Sequence, residues 1–261
     1  MSNIRERILT MGVTGVGKSY QWLKMAEAMP KSEFFCIDMD NAIEYMIETQ
    51  FPHLAKGRGG NVTVWTVYDW PEYRKALAEI KELDAEGNWI VLDMMDNAWS
   101  SPQRYFVQQL HDQDMGDYFL QARKVIKSQA KNVTSVSQAA LDGWLDWSVI
   151  NRLYDDFILP IVYRLKSHVY ISTRVEMMDR NEKDPDNKLI FGPYGVKPAG
   201  QKKLGHQVHT CFVLLRNDKG EYFVTTIKDR ANRPYFNKTR LINFYVQYLA
   251  AVAGWPMPEK M

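Results

Sequence analysis

Along the chain, short apolar runs that end in polar residues alternate with stretches whose apolar positions recur at helical spacing. The first run, Ile8-Leu9-Thr10-Met11, feeds a glycine-rich turn and then the pattern Tyr20-Gln21-Trp22-Leu23-Lys24-Met25-Ala26, which predicts a strand, a loop and a helix ending near Pro30. Residues 33–40 read as a buried strand closed by Asp38 and Asp40, residues 41–49 as a short helix, and the β-branched run 61–67 as another strand. Asp69-Trp70-Pro71-Glu72 has the cap and first-turn proline of a helix start, and Ala76, Leu77, Ile80 and Leu83 continue it on one face towards Gly87. Residues 89–93 close this part with four apolar residues and Asp93. Strands alternating with helices of this length predict βαβ units and a mostly parallel sheet.

The alternation then stops. Residues 97–167 predict helices only, at 105–110, 118–126 and 144–158, with a polar loop at 128–137 and a kink at Pro160. The tryptophan-rich face around Trp144 and Trp147 reads as core, because large aromatics dominate buried area. An apolar strand resumes at 168–174 and ends in Ser172-Thr173-Arg174. A long loop at 175–207 follows, rich in charge, Gly and Pro, and loops of this length within a domain are usually functional or mobile. Residues 208–216 and 221–228 then form two strand patterns joined by the hairpin sequence Asn217-Asp218-Lys219-Gly220, and 241–252 is an amphipathic helix. The simplest organisation is one domain, residues 1–261, with a helical insertion at about 97–167 and a flexible loop at about 175–207.

Composition changes this picture little. With 46% hydrophobic and 25% charged residues the chain is ordinary globular protein, which excludes wholesale disorder. A formal charge of +2 does not announce a nucleic-acid partner, so local clusters must carry that question. Cys36 and Cys211 sit inside apolar runs and read as small buried residues. His206 and His209 have no carboxylate or cysteine beside them in sequence, too few ligands for a closed metal site. No signal region or membrane-spanning run is present, and the chain reads as cytoplasmic.

The candidate chemistry begins at Gly12-Val13-Thr14-Gly15-Val16-Gly17-Lys18-Ser19, followed by Tyr20. Placed between a strand and a helix, Gly-x4-Gly-Lys-Ser is a phosphate-binding loop. Its glycines let successive N–H groups converge on one anion, and the helix N-terminus points at the same place. Lys18 would reach the β- and γ-phosphates of ATP, and the Ser19 hydroxyl would take a position on Mg²⁺. Asp93 stands where nucleoside triphosphatases place the acid of the Mg²⁺ shell, with Asp96 as a helper or a helix cap. A group that orients the attacking water is expected at Asp40, beside Asp38, because the position after Asp93 is Met94. Ligands of open α/β sheets bind beyond the carboxyl ends of the strands, so Gly12, Asp40, Asp93 and Thr173 are expected to converge.

This order of parts resembles the RecA-like P-loop ATPases over most of the chain outside 97–167. The resemblance implies an α/β fold, with a mostly parallel central sheet flanked by helices and a C-terminal antiparallel hairpin. It implies that Asp40 is the catalytic base, where the family usually has the longer Glu, and that Ser172-Thr173 ends a sensor-type strand. It also implies that the loop beyond matches the DNA-binding loop of recombinases, and that Lys228-Asp229-Arg230 reaches the nucleotide of a neighbouring subunit. Lys197-Pro198-Ala199-Gly200-Gln201-Lys202-Lys203, followed by Thr225-Thr226-Ile227-Lys228-Asp229-Arg230, is similar to phage-encoded nucleotide-binding proteins, some of them single-strand annealing recombinases, which would place the protein in a host cytoplasm. About a dozen residues precede the loop, so the N-terminal segment through which recombinases polymerise is expected to be absent and any ring or filament to use another surface, the inserted helices being one candidate.

The function expected is Mg²⁺-dependent ATP hydrolysis coupled to single-stranded DNA. Lys197, Lys202, Lys203 and Arg233 are the nucleic-acid candidates, with Tyr194, Tyr235 and Phe236 interleaved as stacking groups. The alternatives are a small-molecule or nucleotide kinase with the 97–167 helices as a lid, and a nucleotide-gated interaction protein of DNA packaging or replication.

Overall fold

The computed structural model describes residues 4–129 and 145–258. Eight strands form one sheet: β1 (Arg7–Met11), β2 (Phe34–Asp38), β3 (Val62–Thr66), β4 (Trp89–Asp93), β5 (His168–Thr173), β8 (Thr210–Arg216), β9 (Tyr222–Asp229) and β10 (Thr239–Arg240). A separate two-stranded sheet pairs β6 (Val175–Met177) with β7 (Val196–Pro198). The order across the large sheet is β10-β9-β8-β1-β5-β4-β2-β3; β1, β2, β3, β4, β5 and β8 run parallel, and β9 and β10 are antiparallel additions at one edge. The expected architecture, a mostly parallel sheet with a C-terminal antiparallel hairpin, is the one observed. The hairpin turn at 217–220 is closed by Gly220 N–H donating to Asn217 O at 3.0 Å.

Helices cover both faces, and the period-two alternation of the strands divides the core between them. Leu9, Phe35, Ile37, Ile90, Leu92, Val169 and Ile171 face α3 (Trp70–Leu83), α4 (Met95–His111) and α6 (Leu145–Leu159). Ile8, Phe34, Cys36, Trp89, Val91, Tyr170 and Phe212 face α1 (Lys18–Ala28), α2 (Ile43–Gln50) and the C-terminal helical turns at 244–250. β2, β4 and β5 are buried at every position, which is why they read as continuous apolar runs rather than alternating ones. Asp69 caps α3 as its sequence predicts: it accepts from Glu72 N–H at 3.0 Å while the Glu72 carboxylate accepts from Asp69 N–H at 3.3 Å.

Residues 95–111, 115–129 and 145–164 are helical, through α4, α5 (Met115–Gln129), α6 and a π-helical turn from Pro160 to Arg164. The kink expected at Pro160 is this change of helix type, with Leu165 N–H donating to Pro160 O at 3.0 Å. Trp99 stacks on Trp147 and lies edge-on to Tyr154, which ties α4 to α6. The polar loop expected at 128–137 has its first two positions in α5, and the rest, with Trp144, lies outside the described residues. The span 175–207, read from sequence as a loop without regular structure, carries β6, α7 (Pro185–Phe191), β7 and α8 (Leu204–Gln207). These pieces are too short to leave a period in the sequence; Phe191 and Leu204 anchor them in the main core. No helix among the described residues is long and apolar enough to cross a membrane.

Candidate functional site

The carboxyl ends of β1, β2, β4 and β5 meet at one edge of the sheet. Asp38 and Asp93 sit side by side in register, Met11 is paired with Thr173, and Gly12 N–H donates to Thr173 O at 3.2 Å. The loop from Gly12 then wraps the start of α1, whose capping residue Gly17 adopts a left-handed φ of 86° that a side chain would strain. Gly12 is required for a different reason: a Cβ built there would lie 2.6 Å from Val16 Cγ2 and 2.7 Å from Leu214 O. Gly12→Ala is therefore expected to lower stability by about 1–3 kcal/mol through overpacking, read as a fall in the urea midpoint. An unchanged midpoint would show that this strand-to-loop junction is looser than its contacts imply.

Lys18 is buried and folds back over the loop, its Nζ donating to Gly12 O at 2.9 Å and Val13 O at 3.0 Å. Burial lowers its pKa, while Asp93, Asp96 and Asp40 act in the opposite sense and favour the ammonium. Asp93 is wholly buried and accepts from Ser172 Oγ, from Trp22 Nε1 at 2.9 Å and from Ser19. Desolvation pushes its pKa up, and those three donors offset only part of that rise. A hydroxyl and a buried carboxylate in contact, Ser19 with Asp93, are the hard oxygen donors that a Mg²⁺ ion and its water shell use, and the two fit that ion.

Asp38 is spent on structure, accepting from Asp40 N–H at 3.2 Å and Ile43 N–H at 2.9 Å, which fixes the entry into α2. Asp40 lies at the mouth of the cavity. Its carboxyl is pushed up to about 7 by lost solvation first, then by Asp93 and by the hydrogen bond with Asp38.

Thr173 does not join this group. Its hydroxyl, with one proton to give, lies 3.2 Å from Asp96 Oδ1 and 3.1 Å from Ala199 O, whereas the neighbouring Ser172 is the residue on Asp93. Successive strand residues point to opposite faces, so only one of the pair can turn to Asp93. Asp96 is neither a helix cap nor a partner of Asp93: it lies in the first turn of α4 and binds the Arg174 side chain, which also donates to Asn97 Oδ1 at 3.0 Å.

The cavity over the loop has a volume of about 760 Å³. Thr14, Gly15, Gly17, Lys18, Ser19 and Tyr20 form one side with Asp40 and Met94; Met46 and Gln50 of α2 form another. The remaining wall comes from the hairpin turn and the start of β9, through Glu221 and Tyr222, and from the end of β10 and the residues after it, through Arg240, Leu241 and Ile242. Sequence reasoning missed this wall, because nothing in those residues marks them as nucleotide contacts. None of the described residues of α4, α5 or α6 lines the cavity.

The basic candidates separate. Lys197 is held by Glu182 at 2.5 Å and Glu176 at 3.4 Å, and Arg233 by buried Glu6 at 2.7 Å. Both are committed within the fold, and Phe236 packs on Phe212 and Tyr248. Lys202, Lys203 and Tyr235 are exposed. Lys228 and Arg230 lie at the opposite edge of the sheet from the loop, because β9 runs antiparallel to β8 with Asp229 against Thr210 and Tyr222 against Arg216. There Lys228 Nζ donates to Gly205 O at 2.6 Å and Arg230 Nη2 to His206 O at 2.9 Å.

A family model described as an AAA domain matches residues 4–142. No curated protein sequence matches the chain. Among solved structures, the crystal structure of the RadB recombinase aligns at 14% identity with a TM-score of 0.46, covering 89% of this chain and 84% of that one.

Proposed function

The chain belongs to the AAA-domain family, and from that premise we propose that it is a RecA-like P-loop ATPase that hydrolyses ATP with Mg²⁺ and couples the cycle to single-stranded DNA. The observation that carries the reading is the contact of Ser19 with buried Asp93 at the foot of a cavity that continues to Tyr222 and Ile242. The loop amides and Lys18 bind the phosphates, and the hairpin wall receives the nucleoside. Ser19 and Asp93 hold Mg²⁺, which when bound supplies the charge that offsets the triphosphate. Asp40, the base of this proposal, takes the proton of the attacking water, and its raised pKa suits that role near neutral pH. Ser172 orients Asp93, and Thr173 acts through Asp96 and the return of the 175–207 segment at Ala199.

Lys228 and Arg230 can serve a nucleotide only across an interface, since within one copy they sit at the far edge of the sheet. Their assignment as trans-acting groups therefore goes with a ring or filament of this chain. For DNA, the exposed Lys202 and Lys203 are the better candidates, while Lys197 and Arg233 would first have to leave their carboxylates. Against the kinase reading, α4 and α6 contribute to the core on the sheet, and none of the described residues of α4, α5 or α6 lines the cavity.

The test is ATP turnover with and without single-stranded oligonucleotides, beside fluorescence anisotropy at low and high salt. Stimulated turnover and salt-sensitive binding are expected. Turnover with no binding at any salt would leave an ATPase and remove the DNA partner.

A further inference from the structure

The segment between β6 and β7 and its continuation into α8 bring together three side chains that the nucleotide site does not use. One ligand atom each from Asp184, Asp186 and His206 lies within 4.8 Å of the other two. The two aspartates stand at the start of α7 and the histidine on α8, so the sequence separates residues that the fold collects. Their placement is held by packing. Phe191 at the end of α7 and Leu204 at the start of α8 are both buried in the main core, and Gly205 lies against the Phe191 ring. The α8 carbonyls are fixed from the other side by Lys228 on Gly205 O and Arg230 on His206 O.

An independent observation points to a missing ligand. His206 is half-buried, but its Nε2 is out of contact with solvent and has no hydrogen-bond partner among the described residues, a condition that costs free energy unless a further group completes it. The carboxylates have capacity to spare: Asp184 Oδ1 accepts from Asp186 N–H and Asn187 N–H, each at 3.0 Å, and no cation of the chain is paired with either aspartate among the described residues.

We propose that Asp184, Asp186 and His206 form a binding site for a divalent transition-metal ion of the zinc class, joining α7 to α8. Two carboxylates and one imidazole are a donor set that Zn²⁺ accepts, with water completing a tetrahedron. Mg²⁺ and Ca²⁺ prefer all-oxygen surroundings, which separates this site from the one at Ser19 and Asp93. The nearby Lys228 and Arg230 oppose a cation, and both are engaged by α8 carbonyls, Lys228 by Gly205 O and Arg230 by His206 O. The ion's effect is to stiffen the segment that returns to the nucleotide site, where Ala199 O accepts from Thr173.

The experiment is calorimetric titration of the chelator-treated full chain with Zn²⁺ alone, for the wild type and for Asp184→Asn and His206→Ala. Asn retains the cap of α7 while removing the charge, so the first variant keeps its fold. One equivalent of Zn²⁺ that is lost in both variants, at unchanged circular dichroism, is the expected result. Zn²⁺ binding that is absent in the wild type, or unchanged in both variants, overturns the site.

Discussion

Replacing Lys18 with alanine is expected to lower ATP turnover by about 100- to 1,000-fold, the loss typical of removing one preorganised group that stabilises transition-state charge. The side chain is buried among the cavity walls and its ammonium rests on Gly12 O and Val13 O. Those two carbonyls are the natural resting place for a cation that leaves them when a triphosphate arrives. Alanine removes a charge held in a partly dehydrated place, so the fold loses little: the Gly12 and Val13 carbonyls stay beside an open cavity where water replaces the ammonium. Steady-state phosphate release, read beside a urea midpoint, separates the two effects. Turnover at the wild-type level would remove the whole site assignment, Asp93 and Ser19 included.

What could be read from the sequence here follows from how the information is stored. The phosphate loop is contiguous, so Gly12, Lys18 and Ser19 are visible in one stretch, and Asp93 is announced by the four apolar residues of a strand buried on both faces. The convergence of the ends of β1, β2, β4 and β5 followed from parallel βαβ order alone. Side-chain direction did not. Ser172 and Thr173 are equivalent in a string of letters, and only the absolute facing of β5 decides which one meets Asp93.

Charge was also misleading at a distance. Arg233 reads as a solvated cation until its partner Glu6, 227 residues away, is seen beneath it. Lys197 is likewise claimed by Glu182, across a turn whose elements are too short for periodicity. Trp22 looks like helix core, and it is, yet its indole N–H is one of three donors that hold Asp93. A buried aromatic with a polar edge can serve packing and site at once.

Asp40→Asn is expected to retain nucleotide binding and to lower turnover by about 100- to 10,000-fold, the range for loss of a general base. Asp40 lines the cavity, and lost solvation, Asp93 and Asp38 raise its carboxyl to about 7. A base works ionised, so wild-type turnover should climb as pH rises through about 7, and that limb should be missing from the variant. Stability of the nucleotide-free protein should move the other way. A carboxyl whose pKa is higher folded than unfolded binds more protons in the folded state, so its favourable contribution is present at low pH and is lost as pH rises towards 7. The asparagine variant carries no such charge. Its thermal midpoint should match the wild type near pH 4 and exceed it above pH 7, which checks the raised pKa, while the turnover profile checks the catalytic role. Wild-type turnover in Asp40→Asn, or a pH limb that survives the substitution, would assign the base elsewhere.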